Sequence, residues 1–149
     1  MYVSARLDYA LRALATLATE DGPVTGAVLA ERQGVSLAYV AAILNELRRE
    51  GVVVNERGRR PGYRLARPAE EISIADVVAA LHVWPIDVHT SDRPHDAVAD
   101  RLAALWDRLG VVTVGVLASV SVADVARGPR RGATPPSSRP RRREPAAAG

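Results

Sequence analysis

The chain has 149 residues, 48% of them hydrophobic, a formal net charge of +3 and no cysteine. This length and composition suit one small domain with an appended element, and the lack of cysteine excludes disulfides, thiolate zinc sites and thiolate-held iron–sulfur clusters. We expect a cytoplasmic protein that does not enter a membrane. No secretory signal is recognisable, and the longest nearly apolar run, residues 111–123, is shorter than the roughly 20 residues of a membrane-spanning helix.

Charge is distributed unevenly along the chain. Residues 32–67 contain eight Arg and three acidic residues, a net of +5, whereas residues 68–126 contain three Arg and nine acidic residues, a net of −6. All the basic residues are Arg, which indicates a coding bias rather than selected guanidinium chemistry. Because the charge is concentrated in residues 32–67, this internal basic block is better evidence for nucleic-acid binding than the overall charge of the chain.

Hydrophobic residues at helical spacing predict three helices in the N-terminal third of the chain. Ser4, Thr25 and Ser36 are their candidate N-caps. The second and third helices are joined by Gly34, Val35 and Ser36, a tight connection typical of a helix-turn-helix. Because similar turns occur in helical proteins that do not bind DNA, the segment that follows decides the interpretation.

Two short runs, residues 52–54 and 63–65, predict a β-hairpin directly after the third helix. A hairpin in this position is the wing of a winged helix-turn-helix. Its turn carries Arg57, Arg59 and Arg60. Beside a recognition helix such arginines contact phosphates or the minor groove, although a charged hairpin tip elsewhere is usually only a solvated loop.

Two more helices are expected after the wing. Residues 73–76 have the pattern of a capping box that opens a short helix, and residues 83–94 are a linker loop. Residues 95–126 contain a long amphipathic helix, although the β-branched run 111–114 locally favours a strand and leaves the end of the helix open. Residues 127–149 form an Arg- and Pro-rich tail that we expect to be disordered.

One face of the long helix is apolar and is a candidate dimer interface. The residues on it are Val98, Leu102, Leu105 and Leu109. The alternative is that this face packs against the first helix of the same chain, and both arrangements are compatible with each other.

Five parts of the sequence resemble the Rrf2 family of bacterial transcriptional regulators. One of them, with Leu44, Leu47 and residues 51–53, resembles the end of the family's recognition helix and its first wing strand.

Residues 4–14, which include Asp-Tyr-Ala-Leu-Arg, resemble the family's first helix, and residues 57–66 resemble its wing. Residues 72–77 resemble the helix after the wing, and the pair Leu105-Trp106 resembles part of the dimerisation helix. Pro61 replaces the glycine usual in the wing.

The resemblance implies a mainly α fold with a small β-hairpin wing. Residues 1–82 would form the winged helix-turn-helix and the long C-terminal helix would form the dimer. It also implies DNA binding, with repression as the usual mode in the family.

Many members of the family hold an iron–sulfur cluster through cysteines before the long helix. Residues 83–100 contain none, and Asp8, where some relatives place a carboxylate ligand, cannot hold a cluster alone. We therefore expect no cofactor. His89 and His95, near Asp92 and Asp96, leave open a metal site, although loop residues of this kind usually face solvent. An effector ligand or protein also remains open.

In the family geometry the third helix lies in the major groove with its N-terminal end toward the bases. The expected DNA contacts are Ser36, Tyr39, Arg48, Arg57, Arg59 and Arg60, with Arg57 the strongest. Arg48 has the alternative role of interacting with the helix dipole. One helix and one wing make few contacts, so specific binding is expected to need a homodimer on a palindrome.

Two other functional classes compete with a DNA-binding regulator. An enzyme is not expected, because no nucleophile–base pair, phosphate-binding glycine loop or close carboxylate pair is evident. A winged helix that serves only as a protein-interaction module is the stronger alternative. It predicts no salt-dependent DNA binding, whereas a regulator predicts a steep dependence.

Overall fold

The structure is a computed structural model that describes residues 4–83 and 97–128. In these residues the fold is mainly helical, with one antiparallel hairpin, which confirms the expected fold class. The helices are α1 (Ala5–Thr19), α2 (Gly26–Gln33), α3 (Leu37–Arg49), α4 (Ile74–Ala80), α5 (Ala97–Ala118) and α6 (Val122–Arg127), and the strands are β1 (Val53–Glu56) and β2 (Gly62–Leu65).

The core lies between α1, α3, α4 and α6. Leu14 of α1, Leu44 of α3 and Val77 of α4 are all fully buried, and Val122 of α6 joins them. Burying a side chain of this size stabilises the fold by roughly 1.5–3 kcal/mol relative to leaving it exposed. The apolar faces predicted from helical spacing are therefore the faces that pack inward.

Local capping explains where α2 and α3 begin and end. Thr25 Oγ1 accepts a hydrogen bond from the Val28 N–H at 3.3 Å, which confirms the predicted cap. Gly34 ends α2 at φ 65°, a left-handed conformation that glycine adopts without a steric cost. Ser4 occupies the N-cap position of α1, but its side chain makes no capping hydrogen bond, so that part of the prediction was wrong.

The wing is a short antiparallel hairpin in which Val53 pairs with Leu65 and Glu56 pairs with Gly62. The strands lie slightly displaced from the predicted runs, 52–54 and 63–65. Val52 is buried just before the first strand, and its N–H donates to the Leu47 carbonyl of α3 at 2.8 Å. The recognition helix and the wing are thus joined with almost no intervening loop.

A third backbone segment fixes the base of the wing. Val24 pairs with Tyr63 through two hydrogen bonds, from Val24 N to Tyr63 O at 2.9 Å and from Tyr63 N to Val24 O at 2.8 Å. Gly62, at φ 154°, lies so close to this pairing that a Cβ would be 2.8 Å from the Val24 carbonyl carbon. Glycine is therefore required at position 62 for the segments to approach.

The C-terminal part settles one question that the sequence left open and differs from the expectation in one respect. Residues 111–114 continue α5 to Ala118 and form no strand. Valine's intrinsic disadvantage in a helix is below about 0.7 kcal/mol per residue, and no described strand is available to pair with this run. Residues 122–127 form a separate helix, α6, and Arg127, expected to begin the tail, is its last residue and pairs with Glu70.

Two segments of similar sequence pair with each other and hold α6 in place, and we call this pairing the C-terminal joint. The segments are Ile-Ser-Ile-Ala-Asp-Val at 72–77 and Val-Ser-Val-Ala-Asp-Val at 120–125. Each opens a helix with a Ser–Asp capping box. The two segments pair antiparallel at Ser73 and Ser121, with the Ile74 N–H donating to the Val120 carbonyl at 2.9 Å. The end of α5 is thereby attached to the winged domain.

Some expectations concern parts of the chain that lie outside the described residues. They are the linker after residue 83, the His89 and His95 metal site and the tail beyond residue 128. In residues 4–83 and 97–128, no helix combines the length and the apolar character needed to cross a membrane.

We predict that Gly62→Ala destabilises the fold by more than about 1 kcal/mol, because the new methyl group would collide with the backbone at Val24. Gly58→Ala is the matched control, since Gly58 also has a positive φ but has open space around it. Chemical denaturation measures both. Equal losses for the two variants would show that backbone strain alone, and not the contact with Val24, makes glycine necessary.

Candidate nucleic-acid interface

The recognition helix α3 buries one side and exposes the other. Val40, Ile43, Leu44 and Leu47 face the core. With about 100° per residue, the direction opposite the core is occupied by positions i, i+4, i+7 and i+11. These residues, which we call the outer face of α3, are Ala38, Ala42, Asn45 and Arg49, and all four are exposed.

Ser36 and Tyr39 lie at the N-terminal end of α3, as predicted. Ser36 is exposed, and its Oγ accepts the Tyr39 N–H at 3.2 Å, which leaves the hydroxyl hydrogen available to a phosphate. Tyr39 is 37% exposed, and its ring meets that of Tyr9 of α1 edge-on, with 5.6 Å between centroids. This contact limits the directions in which Tyr39 can point.

An ion pair also links α1 to α3. Arg6 of α1 pairs with Glu46, which lies beside the outer face. Since the pair occupies the carboxylate, Glu46 repels an approaching phosphate less than an unpaired glutamate would. The ion pair therefore makes this side of α3 more compatible with DNA.

The tip of the wing carries Arg57, Arg59 and Arg60, which are all exposed. None of them forms an ion pair with another described residue. The adjacent acid, Glu56, is paired across the hairpin with Arg64. The wing tip thus presents guanidinium groups that are not neutralised by the described part of the chain.

The start of α3 and the base of the wing meet around Gly26, the first residue of α2. A Cβ at Gly26 would lie 3.3 Å from Leu37 Cδ1 of α3 and 3.9 Å from Tyr63 Cε2 of β2. The N-terminal turn of the recognition helix and the wing are consequently neighbours. This adjacency would allow a single duplex to contact both elements.

The outer face of α3 excludes one expected contact residue and includes a polar residue that was not expected there. Arg48 is exposed but lies about 80° around the helix from Ala38, whereas Arg49 lies on the outer face. Asn45 was not considered a candidate. The signal was present, because the core positions of α3 define the opposite face by helical geometry alone.

The apolar stripe on α5 is exposed in the single chain. No residue of this helix is buried, and the helix packs mainly against α4 rather than against α1. Val112 and Val116 extend the stripe by further steps of the same spacing. The residues proposed from the sequence all lie on it and are at least 38% exposed: Val98, Leu102, Leu105 and Leu109.

The residues present do not fit a thiolate-held iron–sulfur cluster. The chain contains no cysteine, and no group of three potential metal ligands occurs among the described residues. Asp8 instead accepts a hydrogen bond from Arg12 Nε at 2.7 Å, and this contact raises the pKa of Arg12. The Asp8 carboxylate is thus engaged with a neighbouring side chain on the same helix.

Comparison with known proteins agrees with this geometry. The sequence matches the Rrf2 family, described as "Iron-dependent Transcriptional regulator", over residues 3–128. The chain belongs to the Rrf2 family. It is 34% identical over 125 residues to the HTH-type transcriptional regulator IscR of Photorhabdus laumondii, covering 83% of this chain and 73% of the relative.

Two solved structures of regulators have the same fold. T. potens IscR superposes with a TM-score of 0.69 at 29% identity, covering 85% of this chain and 87% of its own. CymR, the global cysteine regulator of B. subtilis, gives 0.68 at 25% identity, covering 85% and 97%. These relatives are transcriptional regulators rather than enzymes. This member of the family is likewise a DNA-binding regulator, and its fold is a winged helix-turn-helix.

For the wing we predict that Arg57→Ala weakens operator binding by roughly 1–3 kcal/mol if the guanidinium makes a bidentate base contact. If it contacts only phosphate, the salt slope should fall while base preference is retained. Arg108→Ala, at an exposed position of α5, is the control. A mobility-shift titration in which Arg57→Ala changes neither affinity nor salt slope would remove Arg57 from the interface.

Proposed function

We propose that the protein binds a palindromic operator as a homodimer and represses transcription from the adjoining promoter. The observation that supports this most strongly is the combination of the outer face of α3 with the neighbouring wing-tip arginines, which form no ion pair with any residue in 4–83 or 97–128. Sequence would be read by α3 in the major groove, with Ser36 and Tyr39 at its leading end. Arg57, Arg59 and Arg60 would hold the phosphate backbone or the minor groove.

The homodimer follows from the number of available contacts. One recognition helix and one wing reach too few bases for a specificity ratio of about 10³ or more over other DNA. Two copies joined along the apolar stripe of α5 would double the contacts. The two half-sites would then lie about one helical turn, roughly 34 Å, apart.

Repression requires no additional chemistry from the protein. A dimer that occupies two major-groove half-sites within a promoter excludes other proteins from the same DNA. Transcription in vitro from a promoter that overlaps the bound site should therefore fall as the protein is added. A rise in transcription would assign the opposite sign of regulation.

We also propose that this family member regulates without an iron–sulfur cluster. The lack of thiolates and the Asp8–Arg12 contact support this. The signal would then be a ligand or a partner protein. Protein purified without oxygen in the presence of iron should bind DNA and show no visible cluster absorption, and an absorbing, iron-loaded preparation would contradict the proposal.

The experiment that tests DNA recognition is selection of bound sequences from random duplex DNA by the pure protein. We expect a two-fold symmetric motif, with an affinity that falls steeply as salt rises, because bound arginines displace counterions. A winged helix used only for protein contacts predicts no enriched motif and little salt dependence. That result would replace the regulator interpretation with the interaction module.

For the dimer we predict that Leu105→Glu yields monomers and sharply lower operator affinity, because it places a carboxylate within the apolar stripe. Val111→Glu is the matched control, since Val111 is 74% exposed on the opposite side of the same helix. Analytical ultracentrifugation measures the oligomeric state. If Leu105→Glu sediments like the unmodified protein and Val111→Glu, the α5 stripe is not the interface.

A further inference from the structure

Asn45 occupies the middle of the outer face of α3. It follows Ala42 and precedes Arg49 on the line of residues opposite the core, and it is exposed. The buried side of the same turn is formed by Leu44 and Leu47. The side chain of Asn45 therefore leaves the helix away from the protein.

The amide of Asn45 has no evident role in the fold. Among the described residues it forms no hydrogen bond, and the adjacent Glu46 is paired with Arg6 instead. Asparagine is also a weaker helix former than alanine, the residue found at positions 38, 41 and 42 of the same helix. An asparagine here costs helix stability without any compensating contact within the described part of the chain.

On the outer face of α3, few side chains other than that of Asn45 could form hydrogen bonds with bases. Ala38 and Ala42 carry no polar side-chain atoms, so they allow the helix backbone to approach the groove floor. Arg49 lies at the last position of the helix. From Ala38 to Asn45 the helix rises about 10.5 Å, which corresponds to roughly three base pairs.

A side-chain amide offers an NH2 group that donates and a carbonyl oxygen that accepts, side by side in one plane. In the major groove this pattern matches adenine, whose N6 donates and whose N7 accepts. We propose that Asn45 is a specificity-determining residue that reads one adenine in each operator half-site. This inference rests on the proposed DNA-reading role of α3, and it adds the base class and the residue that recognises it.

The test compares the motifs that the unmodified protein, Asn45→Ala and Asn45→Asp select from random duplex DNA. The unmodified protein should strongly prefer adenine at one position of each half-site. Asn45→Ala should lose that preference by roughly 5- to 150-fold, with the other positions unchanged. Asn45→Asp should shift it toward cytosine, whose N4 amino group donates to a carboxylate.

Asn55→Ala is the matched control, because Asn55 is the other asparagine of the chain and is exposed on β1. It should leave the selected motif unchanged. Thermal unfolding should show that all variants remain folded, since both asparagines are exposed and alanine at position 45 favours the helix more than asparagine does.

The outcomes separate this inference from the function on which it rests. If the unmodified protein selects no motif, the proposed function fails, and the assignment of Asn45 fails with it. If the unmodified protein selects a motif and Asn45→Ala selects the same one, only the assignment is overturned. It is also overturned if Asn45→Ala lowers affinity equally for all sequences.

Discussion

The arrangement of the candidate DNA-binding surface depends on the backbone pairing between Val24 and Tyr63. Its two hydrogen bonds attach the wing to the segment that leads into the helix-turn-helix, at a point where Gly62 permits close approach. The core contacts of Val53 and Leu65 also hold the hairpin, but Val24–Tyr63 is the backbone pairing at its base, and a two-stranded hairpin is marginally stable by itself. The pairing therefore determines where the arginines of the wing tip lie relative to the recognition helix.

Helix α1 and the C-terminal joint extend this constraint to the rest of the molecule. The contacts of Arg6 with Glu46 and of Tyr9 with Tyr39 hold α3 against α1. The paired segments around Ser73 and Ser121 hold the end of α5 near α4, while α6 packs against α1. A dimer formed along α5 would thus carry its two recognition helices at a spacing that the folded chain fixes.

Local sequence patterns predicted much of the fold, because caps and apolar stripes depend on residues three or four positions apart. Thr25, Ser36 and Ser73 cap their helices in this way. The pairing of Val24 with Tyr63 joins distant parts of the chain and leaves no local signal. The end of α5 stayed open because residues 111–114 favour a strand locally, a propensity that has no effect without a partner strand. Asn45 was not among the expected contacts, because its place on α3 follows from the helical direction opposite the core and not from charge or from closeness to the N-cap.

The central claim is that α3 and the wing tip form one surface that contacts a DNA duplex. Amide hydrogen–deuterium exchange of the full chain, with and without a duplex carrying the selected motif, tests it most directly. Protection is predicted in the first turns of α3 and in residues 57–60, with little change in α6. Protection confined to α5 and α6, or none in α3 and the wing, would contradict it.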